Sequence, residues 1–99
     1  MVIFIVNKYV YNNFFEISNL VAVKGCMMTK EAFLKNLGKN ITRLREKGGM
    51  SQTELALKLD KDRQSMNRVE KGRTNPTIYF LNEIAKELDI PLIELLTFE

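Results

Sequence analysis

The stretch from Ser51 to Asn75, SQTELALKLDKDRQSMNRVEKGRTN, constrains the fold of this 99-residue chain more than any other. It holds two helix starts separated by one short turn. At the first, Met50, Ser51, Glu54 and Leu55 stand at the positions of a capping box with a hydrophobic staple. Ser51 is placed to accept from the amide of Glu54, the Glu54 carboxylate to reach back to the amide of Ser51, and Met50 to pack on Leu55. Leu55, Ala56 and Leu59 then share one helical face, and Gln52, Thr53, Glu54 and Lys58 lie largely off it. Asp60, Lys61 and Asp62 break that rhythm, and Asp62 is a good N-cap for a second helix whose inward residues are Met66 and Val69. The outward positions of this helix are Arg63, Gln64, Asn67, Arg68 and Lys71. Gln64, Asn67, Arg68 and Lys71 follow the i, i+3, i+4, i+7 spacing of a single stripe, and the stripe holds no acid.

Two helices this short bury too little on their own, so the flanks must complete the core. Upstream, Leu34, Leu37, Ile41 and Leu44 predict a helix that stops at Gly48 and Gly49. Downstream, Pro76 and Thr77 mark a helix start, with Leu81, Ile84, Ala85 and Leu88 as its apolar stripe. Pro91 opens a last turn carrying Leu92, Leu95 and Leu96. The expectation is an all-α domain of five helices around one core.

With that pattern in view, Leu37 to Leu96 resembles the phage repressor and Cro type of helix-turn-helix domain, the XRE family. The residues that carry the likeness are Arg45 in LREKGG, SQTELA, the run RQSMNRVEKG, and Asn75 with Pro76 ahead of ELDIPLIELL. The resemblance implies a compact, five-helix, lambda-repressor-like DNA-binding domain over residues 28–99. It also implies sequence-specific binding of double-stranded DNA as a transcriptional regulator, expected to be a repressor or autoregulator, with a recognition helix over about 63–71 in the major groove.

Residue by residue, the likeness puts Arg63, Gln64, Asn67 and Arg68 at base edges. Their chemistry suits that role, since Arg donates twice to guanine O6 and N7, and Gln or Asn pairs bidentately with adenine, each contact worth about 1–3 kcal/mol of discrimination. Phosphate contacts, which orient without specifying, are expected from Gln52 at a helix start and from Arg43, Lys61, Lys71, Arg73 and Asn75. Arg45 and Glu70 match the family's structural ion pair between the first and third helices. Two positions depart from the family pattern. Asp60 stands where Gly is usual, and Asp tolerates the left-handed backbone needed there. Lys61 stands where an apolar residue is usual and must snorkel or point outward.

Charge is distributed along the same polarity. From Met28 to Asn75 there are 12 basic residues against six acidic ones, whereas from Pro76 to Glu99 Lys86 alone faces Glu83, Glu87, Asp89, Glu94 and Glu99. A basic half facing phosphate predicts a salt slope of about −0.9 per phosphate neutralised. A domain this small is expected to act as a homodimer on a palindromic or pseudo-palindromic operator. The apolar tail of Ile90, Leu92, Ile93, Leu95, Leu96 and Phe98 either fills the core or packs across the two-fold axis.

Residues 1–27 stand outside the family pattern. Their β-branched and aromatic residues lean toward strand, and three readings are open: a hairpin that augments the dimer, an arm on the bundle, or, the favoured one, an extension upstream of a natural start at Met27 or Met28. Met1 to Val6 is too short an apolar run to cross a bilayer, and no basic stretch precedes it as in a secretory signal. A cytoplasmic protein is expected, with Cys26 a reduced thiol. With no His and one Cys, the chain offers no metal-ligand cluster, no Cys-His or Ser-His pair and no phosphate loop, so no enzymatic activity, metal or cofactor is expected. A small-molecule effector is not expected either. The rival reading is a protein-interaction role, either an antitoxin that binds a toxin and its own operator or a restriction-modification controller protein.

Overall fold

In a computed structural model of the chain, the described residues are 4–6, 9–11 and 28–98. Five helices follow one another as α1 (Lys30–Lys47), α2 (Gln52–Lys58), α3 (Arg63–Glu70), α4 (Ile78–Glu87) and α5 (Leu92–Leu96). Upstream, β1 (Phe4–Val6) and β2 (Tyr9–Tyr11) pair antiparallel with Phe4 opposite Tyr11. The strand leaning of the extension is therefore expressed at residues 4–6 and 9–11. Phe14, Phe15, Ile17, Cys26 and Met27 lie outside the described residues.

Four of the five helices, α1 to α4, are closed at both ends by the same chemistry. Four N-caps accept from the amide three residues on: Thr29 from Ala32 (3.1 Å), Ser51 from Glu54 (3.0 Å), Asp62 from Ser65 (2.6 Å) and Thr77 from Phe80 (3.1 Å). Each satisfies one of the orphan donors of a first turn. The capping box at Ser51 is only half made, since no return bond from the Glu54 carboxylate is present among the described residues.

The same four helices end in one motif. A residue of positive φ (Gly49, Asp60, Gly72 and Asp89) follows the C-cap. The next amide then bonds five residues back: Met50 to Arg45, Lys61 to Ala56, Arg73 to Arg68 and Ile90 to Ala85. This is the Schellman closure, which returns the chain sharply and satisfies terminal carbonyls. Asp60 adopts φ 54°, so the turn between α2 and α3 survives without the usual glycine. Lys61 is exposed, as its charge demands, with its Nζ 5.6 Å from the centroid of Phe80, a cation over an aromatic face.

One core joins all five helices. Leu37, Ile41 and Leu44 of α1, Leu55 and Ala56 of α2, Met66 and Val69 of α3, Leu81, Ile84 and Ala85 of α4, and Leu95 of α5 are buried together. Of the apolar tail, Leu95 is fully buried, and Ile90, Leu92, Leu96 and Phe98 pack against the core. Phe98 meets Phe33 of α1 edge to face, ring centroids 5.3 Å apart. Ile93 alone in this tail stays exposed, at 65%. Core filling within one subunit thus accounts for most of these side chains.

Two polar or small residues of α1 fix its neighbours. The buried Asn40 donates through Nδ2 to the carbonyls of Glu94 (2.8 Å) and Leu95 (2.9 Å), closing the C-terminal end of α5 against α1. Gly38 lets α1 and α3 cross backbone to backbone: a Cβ there would run into the carbonyl oxygen of Glu70 and stand 2.7 Å from that of Val69.

Candidate nucleic-acid interface

The helix that presents the candidate base readers is held at its far end. Glu70, the last residue of α3, is buried, and Arg45 of α1 donates to it through Nε (2.7 Å) and Nη2 (2.9 Å). Arg45 also donates from Nη1 to the carbonyl of Met50, at 2.9 Å, so one guanidinium joins α1, the turn after it and α3. The hydrogen bond to Glu70 holds the Arg45 pKa above its ordinary value, outweighing the opposing effect of burial. A carboxylate taken out of water costs several kcal/mol unless its lone pairs are satisfied. Here Thr42 (2.9 Å) and Gln52 (3.1 Å) complete the set of donors.

The bond from Gln52 bears on the sequence reading. Gln52 begins α2 as expected, but it is half-buried and its Nε2 is turned to Glu70. Only its second N–H remains to donate to a phosphate. Arg43 is exposed but anchored, donating from Nη2 to Oδ1 of Asn40 at 2.8 Å. Lys61, Lys71, Arg73 and Asn75 are exposed.

Arg63, Gln64, Asn67 and Arg68 gather with Arg73 around one concavity on the outer side of α3, and none of the residues lining it is acidic. Arg63, Gln64 and Arg68 are exposed, and Asn67 is half-buried, deeper between α3 and α1. Arg68 reaches back from Nη2 to the Ser65 hydroxyl, 3.3 Å away, which steadies its side chain along the helix. The cap of α3 is charged: the Asp62 carboxylate lies below the usual carboxylate range, chiefly because the Ser65 amide donates to it. The helix start is thus fixed by an anion while the positions just inside it project cationic and amide groups outward.

Sequence reasoning missed two residues that build this site, Gly38 and Asn40, and one contact of Gln52, which it names for phosphate alone. Gly38 and Asn40 act on α3 and α5, far along the chain, and Gln52 acts on a buried acid rather than on solvent. A glycine inside a helical run and an asparagine beside Ile41 on the apolar face are the signals that could have found the first two.

A helix-turn-helix family model matches residues 41–95, more than half of the chain. The chain belongs to the helix-turn-helix family, in its repressor and Cro branch. An HTH-type transcriptional regulator of Sinorhizobium fredii, y4dJ, is 36% identical over 63 residues, 64% of this chain and 82% of the relative. Among solved structures, the restriction-modification controller protein C.AhdI of Aeromonas hydrophila superposes with a TM-score of 0.63. It is 34% identical over 66% of this chain and 94% of its own. SinR, a master regulator for biofilm formation solved in complex with DNA, gives a TM-score of 0.57 and 33% identity over 61% of this chain and 97% of its own. The helix-turn-helix is α2 and α3, and the general class of activity is DNA-binding transcriptional regulation. Among the described residues no helix is long and apolar enough to cross a membrane.

Proposed function

We propose that residues 28–99 form a DNA-reading unit that works as a homodimer, placing α3 of each copy in the major groove of one half of a palindromic or pseudo-palindromic operator. Residues 1–27 would be a separate extension. Arg63 and Gln64, at the start of α3, and Asn67 and Arg68, one turn on, read base edges. Gln52, Arg43, Lys61, Lys71, Arg73 and Asn75 hold the phosphates. The role is binding rather than catalysis, in the compartment that holds the DNA. The observation that carries this reading is the acid-free concavity formed by Arg63, Gln64, Asn67, Arg68 and Arg73 on a helix whose C-terminal end is locked by Arg45 and Glu70.

Position and chemistry agree. Arg63 and Gln64 are exposed at the helix start, where a recognition helix meets base edges, and guanidinium and amide groups are the bidentate partners of guanine and adenine. The likeness to C.AhdI favours a regulator of the controller type, which a restriction gene beside this one would support.

Selection of bound fragments from random duplex DNA tests the reading. The full chain should enrich one motif with two-fold symmetry. Arg63→Ala and Gln64→Ala should each lose about 1–3 kcal/mol at a single base position, with preference relaxed there and kept elsewhere. Enrichment of no motif, or a motif that both variants leave unchanged, removes α3 as the reading element.

A further inference from the structure

A second basic face lies beside the recognition helix. Lys35, Lys39, Arg43 and Lys47 recur every fourth residue along α1, and all four are exposed. On a helix surface such neighbours repel one another, so the stability of the fold gives no reason for the row. The lysines are also unpaired: among the described residues neither Lys35 nor Lys39 meets a carboxylate.

We propose that Lys35 and Lys39 bind the phosphates that flank the bases read by α3, so that α1 extends the contact with DNA beyond the helix-turn-helix. This rests on the base-reading role proposed for α3. Continuity of surface supports it first. Lys35 and Lys39 line one groove with Gln52, Asn67 and Lys71, and Asn67 also lines the concavity of Arg63 and Arg68. The backbone agrees. At Gly72, where φ is +71°, a Cβ would stand 2.8 Å from both Cα and N of Lys35. The start of α1 is therefore pressed against the turn that carries Lys71 and Arg73, and Lys35, Lys39 and Lys71 line one groove.

Charge supports it next. The groove contains two acids, and neither offsets the lysines. Glu70 is buried under the donors from Arg45, Thr42 and Gln52, and Glu46 lies 3.9 Å from Arg45. What faces outward is net positive, with Glu46, 66% exposed, the one outward acid against Lys35, Lys39, Arg43, Lys47 and Lys71. An ammonium on a long stem is a point charge without the fixed fork of Arg, suited to an anion whose spacing matters more than its edge pattern. A phosphate backbone continuing from the bases under α3 has that character, so the contact adds affinity and carries no sequence information.

The test is fluorescence anisotropy against salt, with the full chain and the variant Lys35→Ala/Lys39→Ala. The duplexes are the selected site with about one helical turn of flank, the same site without flanks, and a scrambled duplex of the longer length. Alanine raises helix propensity at both positions, and thermal melting checks that the fold is intact. On the flanked and scrambled duplexes the variant should lose about 3.6 from the magnitude of the salt slope, two phosphates for each copy of the dimer at about 0.9 each, with the same base preference. Without flanks the two proteins should converge. Lys35→Arg/Lys39→Arg should keep the slope.

An unchanged slope on the flanked duplex overturns the proposal, as does a difference that persists without flanks. Loss of self-association in sedimentation with the slope retained would assign the row to the acidic face of a second copy instead, and also overturns it. Failure of the base-reading role is separate: the wild-type chain would then bind selected and scrambled duplexes equally, whatever the lysine variant does to the slope.

Discussion

Arg45 and Glu70 stand 25 residues apart and meet through two hydrogen bonds, Nε to Oε2 at 2.7 Å and Nη2 to Oε1 at 2.9 Å. The pair joins the end of the recognition helix to the longest helix of the domain, so the angle at which α3 leaves the surface depends on it. Removing one partner leaves the other charge buried and unmatched. Arg45→Ala should therefore cost about 3–5 kcal/mol in urea unfolding, or more than about 12 °C in Tm at this size. Replacing both groups is the sharper test. Arg45→Met/Glu70→Leu takes both charges out of the core, and its stability should recover toward wild type. A double variant as unstable as the single one would mean that the pair is not the origin of the loss.

Gly38 sets how closely α1 and α3 approach. A methyl group at this position meets the carbonyls of Glu70 and Val69, which belong to helix backbone and cannot swing aside as a side chain could. The gain in helix propensity from Gly→Ala, about 1 kcal/mol, opposes an overpacking cost of typically about 1–3 kcal/mol. With backbone as the obstacle the cost should win. Gly38→Ala is expected to lower the urea midpoint and, because α3 is pushed outward, to weaken DNA binding at temperatures where the variant is still folded. A variant more stable than wild type would show that the crossing is looser than this geometry.

These two contacts also show what is legible in the sequence. Caps and apolar spacing are local, and Ser51, Asp62 and Thr77 cap where the sequence places them. The five-helix pattern follows, because an i, i+3, i+4 stripe and a cap three residues ahead of it are set within one or two turns. Asp60 is legible through its place in the turn. Asp89 plays the same role after α4 but sits among acids and apolar residues with no glycine expected there, so nothing local marks it. Gly38 and Asn40 act through partners more than 30 residues away, and no periodicity encodes where a distant carbonyl will lie. Gln52 reads as free for phosphate because its position faces outward at a helix start. The buried acid that claims its amide arrives only when α3 folds back.

The cap of α3 gives the domain a pH dependence with a definite sign. The Ser65 amide donates to the Asp62 carboxylate and holds its pKa below the ordinary value near 3.8. A group whose folded pKa is depressed contributes stability that is fully present above the unfolded value and is lost as pH falls through the folded one. The stability difference between wild type and Asp62→Ala should hence be constant from neutral pH down to about 5. It should shrink only as acid carries the solution through the carboxylate range and below it. Asp62→Ser keeps a side-chain acceptor without a charge, and its difference from Asp62→Ala should stay flat across the same titration. Thermal melts of the three proteins over that range decide it; a gap between wild type and Asp62→Ala that widens in acid would reverse the sign.

Ile93 bears on the dimer. Of the apolar tail it alone remains outside the core, 65% exposed on a helix whose opposite side is buried through Leu95. Exposed positions of this kind tolerate substitution within about 0.5 kcal/mol of folding stability, so Ile93→Asp should melt as wild type does. If α5 forms the surface between two copies, the same change puts a charge against its own symmetry mate or against desolvated apolar surface. Sedimentation should then show a monomer at concentrations where the wild-type chain is paired. The variant should still bind one half-site, since α3 is untouched, and should lose the advantage of two linked half-sites on one duplex, where the second contact benefits from effective concentration. A variant that remains paired and keeps that advantage would place the two-fold axis away from α5.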